Sequence, residues 1–162
     1  FYTFAAKMTN MKQITIKVAW NNSAFEGLVS SETSYGEMKI VTKDFNDIID
    51  MGEAELKIGF DGYTEFGLEL PEWYKNKEYE FVYKFQDVTA MLKAYSSYVS
   101  LAAISRETGI NSALLSHYAN GLKVPRNKQQ KIIVSGLHRI GALLSKCTID
   151  DERKTQLNIE RK

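Results

Sequence analysis

Few side chains in this 162-residue chain are of the types that do covalent or metal chemistry. Thiol and imidazole come only from Cys147, His117 and His138. A structural zinc site takes four such ligands, and a lone cysteine closes no internal disulfide, so reducing cytoplasm is the expected compartment. Asp47 and Asp50 are spaced to meet on one helix face as paired carboxylates, yet both fall among residues expected to face water, so we read them as a solvated surface. A nuclease would need several carboxylates converging on a metal. The strand positions offer Glu26, Glu37 and Glu80, but no spacing that requires convergence. Glycine-rich phosphate loops, nucleophile elbows, His-Glu metal motifs and Cys-His pairs are absent from the sequence. The expectation is a non-enzymatic chain without catalytic residues, metal or cofactor.

The strongest pattern is Leu101-Ala-Ala-Ile-Ser-Arg-Glu-Thr-Gly-Ile-Asn-Ser-Ala-Leu-Leu-Ser-His-Tyr-Ala-Asn-Gly121, which reads as two short helices about a turn. Ser100 is placed to cap the first helix and Asn111 the second. Gly109 is free to take the positive φ that the turn needs, and Ser105, four positions earlier, is small where two helices approach. Ile104, Ile110, Leu115 and Tyr118 supply the apolar contacts. That leaves Ser112, Ala113, Ser116 and His117 on the open face of the second helix. Hydroxyl and imidazole groups hydrogen-bond base edges in a major groove, and an alanine methyl meets a thymine methyl. With Asn111 at the helix start, these are the base-reading candidates, and with no Arg or Gln among them direct readout is expected to be modest.

Gly121-Leu-Lys-Val-Pro-Arg-Asn127 reads as a loop, with Asn127 and Gln130 resembling a capping box for another helix. Ile132, Ile133, Gly136, Leu137, Ile140, Leu143 and Leu144 give that helix an apolar stripe that closes a core and offers a dimer seam. Lys123, Arg126 and Lys128 cluster at the loop and helix start, where phosphates are met by side chains and helix-end amides. The signs of charge divide accordingly. Residues 1–97 hold ten basic and fifteen acidic side chains, whereas residues 98–146 hold seven basic ones against Glu107 alone. A polyanion-binding segment joined to an acidic module is the implied organisation.

The acidic part must position itself by other means. Ile14, Ile16, Val18 and Trp20 alternate inward along a first strand, Asn21-Asn22-Ser23 makes a turn, and strands follow at Phe25–Ser31 and Glu37–Thr42, a three-stranded meander. Asp44 caps a helix whose Phe45, Ile48, Ile49, Leu56 and Phe60 share a face, with an end expected near Gly59 or Gly62. After Pro71, Tyr79, Phe81, Tyr83 and Phe85 alternate along a fourth strand. These aromatics suit base stacking in type, but their surroundings are acidic, so core packing is the better reading. The expected fold class is α+β: a small antiparallel sheet with one covering helix, followed by an all-α helix-turn-helix domain.

Thr108-Gly-Ile-Asn, His117-Tyr-Ala-Asn-Gly121, Lys123-Val-Pro-Arg126 and Leu137-His-Arg-Ile-Gly-Ala-Leu-Leu144, preceded by Glu78-Tyr-Glu-Phe and the sheet module, resemble the HicB-type antitoxins that end in a phage-repressor-like helix-turn-helix. The likeness spans about Met11 to Lys146, and only Ser105, where such modules usually carry alanine, departs within the helix pair. It implies that residues 11–85 are a partial RNase H-like module that binds a small basic toxin of the mRNA-cleaving HicA type. It also implies that residues 86–146 repress the operon by binding operator DNA as a homodimer or higher oligomer. The acidic balance of the first module suits a basic partner. A stand-alone repressor with a ligand-sensing or protein-interaction module is the alternative. Residues 1–10 and 147–162 are expected extensions, with Met8 or Met11 as the start. No apolar run has the length of a membrane span.

Overall fold

The computed structural model describes residues 11–29 and 38–149. The expected extension at 1–10, residues 150–162 of the one expected at 147–162, and Glu37 lie outside the described residues. The rest forms an α+β fold: a four-strand mixed sheet and six helices.

Strands β1 (Lys12–Asn21), β2 (Ala24–Val29) and β3 (Met38–Thr42) make the expected antiparallel meander. Asn22 and Ser23 both take positive φ, 49° and 61°, the geometry of a two-residue hairpin whose twist matches its strands. Strand β4 (Tyr79–Phe85) lies on the far side of β1, giving the order β3-β2-β1-β4, and runs parallel to β1. The expected antiparallel sheet is therefore mixed. The cause is the crossover: a long helix between β3 and β4 returns the chain to the end at which β3 began, so β4 must run as β3 and β1 do.

That helix, α1 (Phe45–Glu65), starts where Asp44 Oδ1 accepts from the Asn46 N–H at 2.9 Å. Its buried side, Phe45, Ile48, Gly52, Leu56 and Phe60, packs against Ile14, Ile16, Val18, Phe25, Val29 and Ile40 of the sheet. Gly52 is where the helix comes closest, because a Cβ there would stand 3.1 Å from Ile16 Cδ1. The helix passes both Gly59 and Gly62, where its end was expected, and stops at Glu65. Gly67, at φ 69°, terminates it: the Leu68 N–H reaches Tyr63 O and the Gly67 N–H reaches Thr64 O, satisfying two last-turn carbonyls.

Two helices have no counterpart in the sequence reading. Short α2 (Glu72–Lys75) brings Trp73 and Tyr74 onto Phe60, with ring centroids 5.5 and 4.1 Å away. Helix α3 (Val88–Ala94), capped by Asp87 Oδ1 on the Ala90 N–H at 2.7 Å, packs against β1 and β4 and buries Val88, Ala90, Met91, Leu92 and Ala94. Lys93 Nζ sits 4.7 Å above the half-buried Trp20 ring. Ala19, outward by alternation, is buried as well. On β4, burial pushes the Tyr83 phenol up to about 12.

Three further helices follow: α4 (Leu101–Thr108), α5 (Ser112–Ala119) and α6 (Asn127–Leu144). The chain divides into two compact units. Of the described residues, one unit runs through Tyr98 and takes in His117–Val124; the other comprises Val99–Ser116 and Pro125 to Ile149. Among the described residues, no helix is long and apolar enough to cross a membrane.

Candidate nucleic-acid interface

In the second unit, α4 begins where Ser100 Oγ accepts from the Ala103 N–H at 3.2 Å, and ends at Gly109 with φ 72°. The Gly109 N–H closes on Ser105 O at 2.9 Å. Thr108 Oγ1 donates to Ile104 O at 2.6 Å and accepts from the Ile110 N–H at 3.3 Å, tying the helix end to the turn. Asn111 Oδ1 then accepts from the Ala113 N–H at 2.8 Å, and Asn111 O accepts from the Leu115 N–H, which starts α5. Ile104, Ile110 and Leu115 are buried. Helix, turn and helix are thus each held by the residue that the sequence singles out for it.

Cap geometry gives a direct test. Asn111→Ala is expected to cost about 1 kcal/mol, and Asn111→Asp to hold most of that, because an Asp carboxylate still reaches the first-turn N–H. Hydrogen exchange at the Ala113 amide checks this, and unchanged protection in the alanine variant would contradict the cap.

Ser112, Ala113 and His117 are exposed, while Ser116 is half-buried and in part withdrawn from the open face. Asn111 is exposed; its side-chain oxygen accepts the cap bond with one lone pair, and its amide nitrogen is turned to no cap partner. His117 belongs with the first unit, as do Tyr118 and the loop to Val124. There the Thr89 hydroxyl donates to Tyr118 O at 2.8 Å, Gly121 turns the chain at φ 70°, and His117 O accepts from the Leu122 N–H at 2.9 Å. Lys123, in this loop, is exposed.

Arg126 and Lys128 are exposed at the start of α6. The residue that opens the helix is Arg126 rather than the expected Asn127, which is already the first helical position. Gln129 Oε1 accepts from the Arg126 N–H at 3.4 Å, and Gln130, expected to complete the box, instead donates from Nε2 to Pro125 O at 3.0 Å. A guanidinium has no acceptor, so the first-turn amides receive nothing from the Arg126 side chain. Of the apolar stripe on α6, Ile133 and Gly136 are buried and Ile132, Leu137 and Ile140 half-buried, while Leu143 and Leu144 stand exposed.

Glu107 is held by Arg139, which donates from Nε to its carboxylate and from Nη2 to its backbone carbonyl. The acid of this segment is thereby neutralised within the fold. Among the described residues no carboxylate pairs with Arg106, Arg126, Lys128 or Lys131. Lys131, one turn beyond Lys128, continues the cationic row on α6 and was missed as an individual candidate; so was exposed Arg106. Only the segment's charge balance pointed to them.

The described carboxylates singled out in the first unit stand apart. Asp47 and Asp50 are exposed, and Asp47 Oδ2 accepts from the Thr42 hydroxyl at 2.6 Å. Glu26 stands opposite Ala19 and Glu80 opposite Gln13, roughly 20 Å apart along β1 at the usual strand rise. A hydrogen bond from Lys39 holds the Glu26 carboxyl below its usual range. Among the described residues no three His, Cys, Asp or Glu side chains gather where a metal would sit. No family model matches the chain, and no curated protein or solved structure does.

Proposed function

We propose that this chain is a DNA-binding antitoxin of the HicB type, in which α4 and α5 form a repressor-like helix-turn-helix and the sheet unit holds a small basic toxin. The carrying observation is the capped helix pair about left-handed Gly109, with exposed Ser112, Ala113 and His117 on its second helix and cations at Arg126, Lys128 and Lys131 that pair with no carboxylate among the described residues. A helix of this kind enters a major groove, and cations at a helix N-terminus meet phosphates. The sheet part supports a basic partner by its charge, since residues 1–97 hold fifteen acidic side chains against ten basic ones. One such DNA-binding module covers only about 600–1,000 Å² of DNA, so tight operator binding calls for two copies on neighbouring half-sites.

Fluorescence anisotropy with DNA from upstream of the gene and with random duplex, each across a salt series, tests the DNA reading. Arg126→Ala is expected to weaken both and to lower the salt slope by about one. His117→Ala is expected to change the ratio between them, by roughly 1–3 kcal/mol if it reads a base. Equal losses on both duplexes for His117→Ala would remove it from the base-reading set, and no binding to either duplex would sink the repressor reading. Co-purification with the neighbouring short reading frame tests the toxin: a stoichiometric small basic protein is expected.

A further inference from the structure

Strand β4 is an edge of the sheet, with no neighbouring strand on its outer side among the described residues. The phase of its free backbone groups follows from two bonds at its ends: the Lys12 N–H donates to Glu78 O at 2.8 Å, and the Gln86 N–H donates to Val18 O at 2.9 Å. In a parallel pair, alternate residues bond to the neighbour, so Glu80, Val82 and Lys84 turn their N–H and C=O groups toward β1. Those of Tyr79, Phe81, Tyr83 and Phe85 point outward, where no strand among the described residues pairs with them. The side chains of these four residues pack on the core and are only half-buried. Glu80, Val82 and Lys84 lie on the opposite face of the sheet, where Glu80 Oε1 accepts from Gln13 Nε2 at 3.1 Å. No proline blocks the edge.

We propose that β4 pairs antiparallel with β4 of a second copy of this chain, about a two-fold axis at Val82, joining two sheets into one. Antiparallel bonding requires outward-pointing residues to face one another. An axis at Val82 meets this along the whole strand, setting Phe81 against Tyr83 and Tyr79 against Phe85 of the second copy. It also sets Glu80 against Lys84 of the second copy, and by symmetry the reverse, with Val82 facing itself. Moving the axis to Phe81 or Tyr83 keeps the bonding phase but shortens the overlap and leaves Val82 opposite a charge. The sequence Tyr79-Glu-Phe-Val-Tyr-Lys-Phe85 is thus complementary to itself in one register, the condition for a closed two-fold interface. The inference rests on the sheet alone and does not depend on the DNA reading.

Sedimentation of the full chain over a concentration series measures the association, and cross-linking fixes its place. In a Cys147→Ser background, Val82→Cys is expected to form a disulfide-linked dimer under mild oxidant. The facing Cα atoms of a non-hydrogen-bonded pair stand about 4.5 Å apart, within reach of that bond. Lys17→Cys, exposed on the interior strand β1, is the control and is expected not to cross-link. Glu80→Lys and Lys84→Glu are each expected to weaken association about tenfold, and the two together to restore it to within about threefold. The proposal is overturned by a chain that stays monomeric, by a dimer in which Val82→Cys links no faster than the control, or by a double variant as weak as the singles.

Discussion

Phe60→Ala is expected to remove about 3–5 kcal/mol from the stability of the sheet unit, the range for truncating a buried phenylalanine. Phe60 is 2% exposed and is the ring on which three others converge: Tyr63, Trp73 and Tyr74 have centroids within 5.5 Å of it. Trp73 and Tyr74 in turn meet Tyr79 at the start of β4. Truncation therefore opens a cavity at the junction of α1, α2 and β4, and neighbouring rings too large to pivot into it cannot fill it. Phe60→Leu, which keeps most of the volume, is expected to cost roughly 1–2 kcal/mol. Urea unfolding followed by tryptophan fluorescence measures both, because Trp20 and Trp73 lie in this unit. A lower midpoint with an unchanged slope is the expected pattern. A loss below about 1 kcal/mol for Phe60→Ala would mean that the aromatic cluster is not packed as described.

This junction also shows what the sequence leaves hidden. Most of the buried face of α1 is legible because Phe45, Ile48, Leu56 and Phe60 recur at helical spacing, although Ile49, expected with them, stands exposed; the β4 aromatics are legible because they alternate. The helix between them, α2, is a single turn placed by contacts with Phe60, so no periodicity announces it. Helix α3 escapes for a different reason: Val88, Ala90, Met91, Leu92 and Ala94 bury nearly every side of a two-turn segment, and a helix apolar all round has no amphipathic stripe. Alternation along β4 is equally silent about direction, since parallel and antiparallel strands share a period of two. The antiparallel expectation failed on that account.

The helix pair was legible for the opposite reason: backbone stereochemistry restricts what each position tolerates. Gly109 takes a left-handed φ that side chains resist, and Ser100 and Asn111 each place an oxygen on a first-turn amide. Preference by residue type misleads where the chain enters α6. Asn127 is the better capping type, yet the helix opens at Arg126, with Gln129 reaching back to its amide. His117–Val124 belongs with the sheet unit without a local signal either: one link between them, the Thr89 hydroxyl on Tyr118 O, joins residues 29 positions apart.

Gly136→Ala is expected to destabilise the second unit by about 1–3 kcal/mol, although alanine is the better helix former by roughly 1 kcal/mol. The sign is decided by the approach of α6 to α4. A Cβ at position 136 would overlap Thr108 Cγ2, and with Glu107 Cγ at 3.7 Å there is little room to one side. Thr108 cannot swing away at low cost, because its Oγ1 is committed to Ile104 O and to the Ile110 N–H. Relief must come from separating the two helices, which strains the Arg139–Glu107 pair that also joins them. Thr108→Ser keeps the hydroxyl and deletes the clashing methyl, so the double variant is expected to recover most of the loss. The two changes should therefore be strongly non-additive, as residues in contact are. This unit contains no Trp, Tyr or Phe, so hydrogen exchange along α4 and α6 is the measurement to use. A neutral or stabilising Gly136→Ala, or a double variant no better than the single, would show that α6 does not pack on Thr108. It would also detach the helix pair from the element that holds it in place.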